Sequence, residues 1–169
     1  MKKMLTGFFA IVVMNVSAQG TNPTVPEATR SIDGIVKEVL RIVSGEKGKT
    51  RDWDAFRNLF LPTAHFTVNT HDPSKQEPIQ TVSLEEFIQM VDDGSRESAF
   101  VESELGKTVD EYNGIAQVFQ AYYSKDGDRE EKGINSYQLV YYNNRWWIAN
   151  IVWTGDSNGR SVPDKYLQK

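Results

Sequence analysis

Two histidines, His65 and His71, are the side chains of this sequence best suited to proton transfer near neutral pH. His65 lies within Ala64-His65-Phe66-Thr67-Val68-Asn69, whose alternation reads as a half-buried strand. It is offset by one from Ala64, Phe66 and Val68, so if Phe66 faces the core, His65 faces the other way. In a pocket its imidazole would be a general base. The simpler reading is an ordinary strand histidine, hydrogen-bonded or at a dimer interface. His71 sits in the polar loop His71-Asp72-Pro73, and its distance from His65 matches no common ligand spacing. No metal site is expected.

Glu102 and Glu104 share one face of a long strand. Paired carboxyls divide into an acid and a base when one of them is desolvated. Exposed strand faces are also often rich in glutamate, and a solvated face is the expectation adopted here. Tyr122, Tyr137 and Tyr141 offer hydroxyl donors. The aromatic residues Trp53, Phe56, Phe60, Phe66, Phe119, Tyr122, Trp147 and Trp153 suit either a plain core or the wall of a small-molecule pocket. There is no phosphate loop, dinucleotide glycine motif, nucleophile elbow or calcium loop, so no cofactor is expected.

Composition narrows the field further. The 169 residues, 39% hydrophobic and 25% charged, suit one globular domain. With no cysteine, disulfides, thiolate metal sites and cysteine nucleophiles are excluded. A net charge of −4 argues against a nucleic-acid partner. Met1-Lys2-Lys3, the apolar run Leu5–Val16 and the small-residue site Val16-Ser17-Ala18 form the three parts of a secretory signal peptide. Residues 1–18 are therefore expected to be removed, leaving an exported protein, periplasmic or secreted, without a stable membrane anchor. Residues 19–27 read as a flexible leader and residues 28–169 as one domain.

The elements that must position these residues begin with helices. Thr24-Val25-Pro26-Glu27 fits a capping box with proline in the first turn. Ile32, Ile35, Val36, Val39, Leu40 and Val43 form one helical stripe, which Gly45 would end in the left-handed conformation. Asp52 caps a shorter helix carrying Trp53, Phe56, Leu59 and Phe60, stopped by Pro62. Ser83-Leu84-Glu85-Glu86 is a second capping box, opening a third helix with Gly94 at its end.

From Phe100 the period changes to two. Four strands are expected, at Phe100–Tyr112, Ile115–Lys125, Glu131–Tyr142 and Arg145–Thr154. Asn113-Gly114 and Asn143-Asn144 suit tight hairpin turns, and 125–128 reads as a longer loop. A strict alternation sets Trp146 and Ile148 opposite Trp147, Ile151 and Trp153, so both faces carry apolar groups. A second copy of the chain, or the tail Val162–Leu167 folding back, would cover the outer one.

Asp52–Phe60 with Pro62 and Ala64-His65-Phe66, then Ser83–Phe87, then Asn144–Trp153 resemble the nuclear-transport-factor-2-like superfamily, which includes SnoaL-like polyketide cyclases and ketosteroid isomerases. The resemblance covers roughly Ala28 to Thr154. It implies an α+β cone: a curved antiparallel sheet wrapped on three N-terminal helices, open at its wide end and often dimeric through the sheet's outer face. The isomerase members carry a carboxylate near the end of the first strand. Here Phe66-Thr67-Val68-Asn69-Thr70 has no acid before Asp72. The expectation is an exported domain that binds a small apolar molecule. The alternatives are a SnoaL-like enzyme using His65 as base and Tyr137 as donor, and a dimeric protein-interaction module.

Overall fold

A computed structural model describes residues 26–72, 74 and 76–167. The expected signal peptide and the Thr24 cap lie outside these residues. Three helices and six strands follow one another as α1 (Ile32–Val43), α2 (Trp53–Arg57), β1 (Phe60–Asn69), β2 (Ile79–Ser83), α3 (Leu84–Glu97), β3 (Phe100–Tyr112), β4 (Ile115–Asp126), β5 (Arg129–Tyr142) and β6 (Arg145–Gly155). A 3-10 turn, Glu27–Arg30, precedes α1, and another, Asp164–Tyr166, follows β6. The strands form one sheet in the order β2-β1-β6-β5-β4-β3, antiparallel throughout except where β1 runs parallel to β6. The class is α+β, with the helices on one face of a mostly antiparallel sheet.

Local chemistry explains most element ends. Ser31 caps α1, accepting from the Gly34 N–H at 3.0 Å. Asp52 caps α2, accepting from the Ala55 N–H. Ser83 and Glu86 form the expected capping box at α3. Both hairpin turns adopt positive φ at Asn113-Gly114 and at Asn143-Asn144.

Several expectations are corrected. Gly45 is not left-handed. It pairs with Phe100 as a β-bridge, and its missing Cβ leaves room for the Arg51 guanidinium. Gly94 lies inside α3, which runs on to a cap at Ser98. Pro62 does not stop a helix but lies within β1, at an irregularity in its pairing with β6 that spares it a ladder bond. The segment 125–128 is a tight turn rather than a loop. The short edge strand β2 has no apolar alternation to announce it.

The correction with most consequence lies in β6. Leu139 pairs with Ile148 and Gln138 with Asn150, leaving Ala149 as a bulge. The extra residue returns Ile151 and Trp153 to the face of Trp146 and Ile148. All four join the core, and only Trp147 of the expected opposite set stays outside. That core is aromatic at its centre. Phe66 stacks on Phe87 with ring centroids 4.1 Å apart, Phe56 lies 4.7 Å from Phe60, and Trp153 meets Phe87 edge-on.

The outer face is partly covered by the chain itself, since Tyr166 of the tail stacks on Phe119 at 5.5 Å. Near the hairpin ends, however, Tyr112, Ile115 and Tyr142 remain exposed.

Candidate functional site

Between α1, α3 and the inner face of the sheet the chain leaves a cavity of about 300 Å³. One wall is apolar: Val39 and Val43 of α1, Phe87 and Val91 of α3, and Phe66, Ile151 and Trp153 of the sheet. The floor is polar and comes from β3, β4 and β5. Pairing places Glu102, Ser124 and Glu131 in one row across those strands. Tyr122 lies in the next row and Asn135 beyond it, with Tyr137 deeper still.

Two glycines, Gly133 within β5 and Gly155 at the end of β6, make room for this floor. A Cβ on Gly133 would lie 2.5 Å from the Tyr122 hydroxyl, and one on Gly155 would overlap the Glu131 carboxylate. Glycine weakens a strand interior, so its presence here marks a close approach. A second bulge, at Leu105, shifts the register of β3 so that Lys107 shares the inner face with Glu104.

The hydrogen bonds of the floor have a defined direction, anchored by charge. Lys107 Nζ lies 2.6 Å from an Asp33 oxygen and 2.7 Å from Glu104 Oε1. Gln120 Nε2 donates to Glu104 Oε2 at 2.9 Å. A carboxylate paired to lysine only accepts, so the Gln120 amide cannot be flipped. Its oxygen therefore accepts, from the Tyr137 hydroxyl at 3.2 Å and from Asn135 Nδ2 at 3.3 Å. Asn135 Nδ2 donates its other hydrogen to Glu102 Oε1 at 2.7 Å. When Glu102 is protonated, its proton is thus left to Oε2. Beside it, the Tyr122 hydroxyl donates to Glu131 Oε1 at 2.8 Å, and Arg129 pairs with Glu131 Oε2.

Burial sets the titration of these groups. Desolvation pushes the Glu102 carboxyl up to about 7, helped by the charge of Glu131 and opposed by the Asn135 hydrogen bond. Desolvation also raises Tyr122, with Glu131 adding to the shift, and raises Tyr137 well above the ordinary tyrosine range. Both tyrosines therefore keep their protons at neutral pH.

The residues singled out in the sequence divide between the two faces. Glu102, Tyr122, Tyr137, Phe66 and Trp153 meet at the cavity. Glu104 supports it from behind, with only 19% of its side chain exposed. The solvated face expected for the two glutamates is thus corrected: α1 covers that end of β3, and both carboxyls are hydrogen-bonded inside. Trp53, Phe56 and Phe60 pack in the core beside the cavity, with the Trp53 indole donating to Asp92. Phe119 and Trp147 lie on the outer face, Trp147 under the Arg145 guanidinium at 3.8 Å.

His65 is exposed on the outer side of β1, its backbone N–H bonded to Asn150 Oδ1. It does not reach the cavity, because Phe66 takes the inward position. His71 is exposed in the loop after β1. Among the described residues no group of three His, Asp or Glu side chains converges to hold a metal. Glu131, Asn135 and Gln120 were not singled out from sequence. Gly133 and Gly155, on strands otherwise free of glycine, were the available signal.

Comparison with known proteins places this geometry. No family model matches the chain, and no curated protein matches it by sequence. Solved structures do. An NTF-2 like protein of unknown function from Pseudomonas aeruginosa superposes with a TM-score of 0.58 at 10% identity, covering 71% of this chain and 94% of that one. A nuclear transport factor 2 (NTF2-like) superfamily protein from Salmonella enterica gives 0.55 at 13% identity, covering 72% and 85%. An NTF-2 like protein of unknown function from Silicibacter pomeroyi gives 0.51 at 16% identity, covering 72% and 89%. The chain has the nuclear-transport-factor-2-like fold. At these identities the likeness speaks for the fold alone, and the function must be argued from the site.

Proposed function

We propose that this protein binds a small, mostly apolar molecule in the cavity, with the ligand's polar end on the floor of Glu102, Tyr122, Glu131 and Asn135. The observation that carries this reading is the placement of Glu102. A carboxyl held off the solvent costs stability, and a packed core would use an apolar residue there. Sites that break packing rules without compensation are where function is sought. The aromatic wall opposite supplies the apolar contact that such ligands require. In this reading the signal peptide of residues 1–18 directs the domain out of the cytoplasm.

Thermal unfolding with a panel of hydrophobic small molecules tests the proposal. At a ligand concentration of about 100 times Kd, stabilisation is roughly 2.7 kcal/mol, a shift of several degrees for a domain of this size. The shift is expected in the wild type and absent in Val91→Trp, whose indole fills the space. A panel that shifts neither protein overturns the proposal.

A catalytic reading is favoured by one further feature. Two carboxyls of different character, a desolvated Glu102 and a Glu131 held by Arg129 and Tyr122, line the same space. Such a pair can divide general-acid and general-base roles. In this form the chemistry rests on Glu102 and Glu131, and His65 takes no part.

We also propose that the chain dimerises through the outer face of its sheet, where Tyr112, Ile115 and Tyr142 stay exposed beyond the cover of the tail. Sedimentation equilibrium at rising concentration is expected to show twice the chain mass. A monomer at every concentration contradicts it.

A further inference from the structure

We infer that the ligand is a cation: an amine carried on an apolar body. The inference rests on the cavity reading above and adds the chemistry of the polar end. It follows from an account of where the hydrogens of the floor point.

Apart from the Ser124 hydroxyl, and from Glu102 when it is protonated, the donors described on the floor are used within the protein. The Tyr137 hydroxyl gives its hydrogen to Gln120, and the Tyr122 hydroxyl gives its own to Glu131. Asn135 Nδ2 spends both hydrogens, on Glu102 and on Gln120. At the α3 end, the Ser95 hydroxyl donates to the Asp92 carbonyl and the Ser98 hydroxyl to Asp126. What these groups leave to a ligand is oxygen lone pairs. A floor mainly of acceptors favours a ligand of donors, and an ammonium carries up to three.

Charge points the same way. Among the described residues three carboxyl side chains line the cavity: Glu102, Glu131 and Asp126. Among the described residues the one cation on the lining is Arg51, which directs four guanidinium hydrogens to the carbonyls of Val43 at the end of α1 and of Gly45, Glu46 and Lys49 in the loop after it. Arg129 approaches Glu131 with its side chain 72% exposed to solvent, and it does not line the cavity. An anion entering this space would meet three carboxyls. A cation would meet carboxyl oxygens on one side, with its apolar body against the Phe66, Phe87 and Trp153 wall on the other.

Isothermal titration at pH 8, where Glu102 is mostly ionised, reads the inference with three probes of one shape: 2-phenylethylamine, 2-phenylethanol and phenylacetate. The amine is expected to bind at least tenfold tighter than the alcohol, and phenylacetate not measurably. Glu131→Gln and Glu102→Gln are each expected to pull the amine-to-alcohol ratio toward one. If Glu131→Gln does not fold, Glu102→Gln carries that arm alone. An alcohol that binds as well as the amine, or a preference for phenylacetate, overturns the cationic ligand and leaves the cavity reading standing. Binding of other panel members but of no amine does the same. A wild type that binds nothing in the wider panel removes both.

Discussion

Glu102→Gln is expected to make the protein more stable above neutral pH. The sign follows from linkage. In the folded chain the carboxyl titrates near 7, against an ordinary glutamate value of 4.5 in the unfolded chain. Below 4.5 both states are protonated and the side chain imposes no penalty. Between 4.5 and 7 the unfolded state gives up its proton while the folded state keeps it, so stability falls as pH rises. Above 7 the loss is complete, at roughly 2–3 kcal/mol once partial hydration from the cavity is allowed for. Glutamine mimics the protonated acid and still accepts from Asn135, so the variant escapes the penalty. Urea unfolding at pH 5 and pH 8 checks this. A small gap between the midpoints at pH 5, widening in the variant's favour at pH 8, is expected. A variant less stable than wild type at pH 8 contradicts the assignment.

The second large effect belongs to Arg51, which is 6% exposed. Its guanidinium donates to four backbone carbonyls and so closes the loop from Gly45 to Arg51 at one end of the cavity. Gly45 lacks the Cβ that would collide with it, so loop and side chain are built around each other. Arg51→Met strips those carbonyls of their partner in a place water reaches poorly. Each such loss costs about 1–3 kcal/mol, and relaxation of the loop recovers part of it, leaving roughly 3–5 kcal/mol overall. Arg51→Lys is expected to recover little, because one ammonium cannot span the fork of the guanidinium. Denaturant unfolding of both variants reads the difference. A lysine variant as stable as wild type shows that the fork is not what holds the loop.

Much of the architecture is legible in the sequence because it is written locally. The Asp52 and Ser83 caps, the Asn113-Gly114 and Asn143-Asn144 turns and the period change at Phe100 each depend on a few neighbouring residues. What resists reading is register. The Ala149 bulge turns two apolar residues of β6 inward, and the Leu105 bulge brings Lys107 beneath Glu104. Gly106 flanks the Leu105 bulge but nothing marks the one at Ala149, and a one-residue slip exchanges the faces of a strand. The site shares that fate. Glu102 and Tyr137 stand out by residue type, whereas Glu131, Asn135 and Gln120 join them only through cross-strand pairing. His65 stands out by type as well, yet the neighbouring Phe66 takes the inward position and leaves it on the outer face.

Carbon-detected NMR titration of the side-chain carboxyls, with Glu102 assigned by comparison with Glu102→Gln, tests most directly that the cavity floor holds an acid neutral near physiological pH. A midpoint for Glu102 close to 7, well above those of the surface glutamates, is the predicted result. A midpoint near 4.5 would mean that water reaches the carboxyl freely, and the floor described here would not exist in solution.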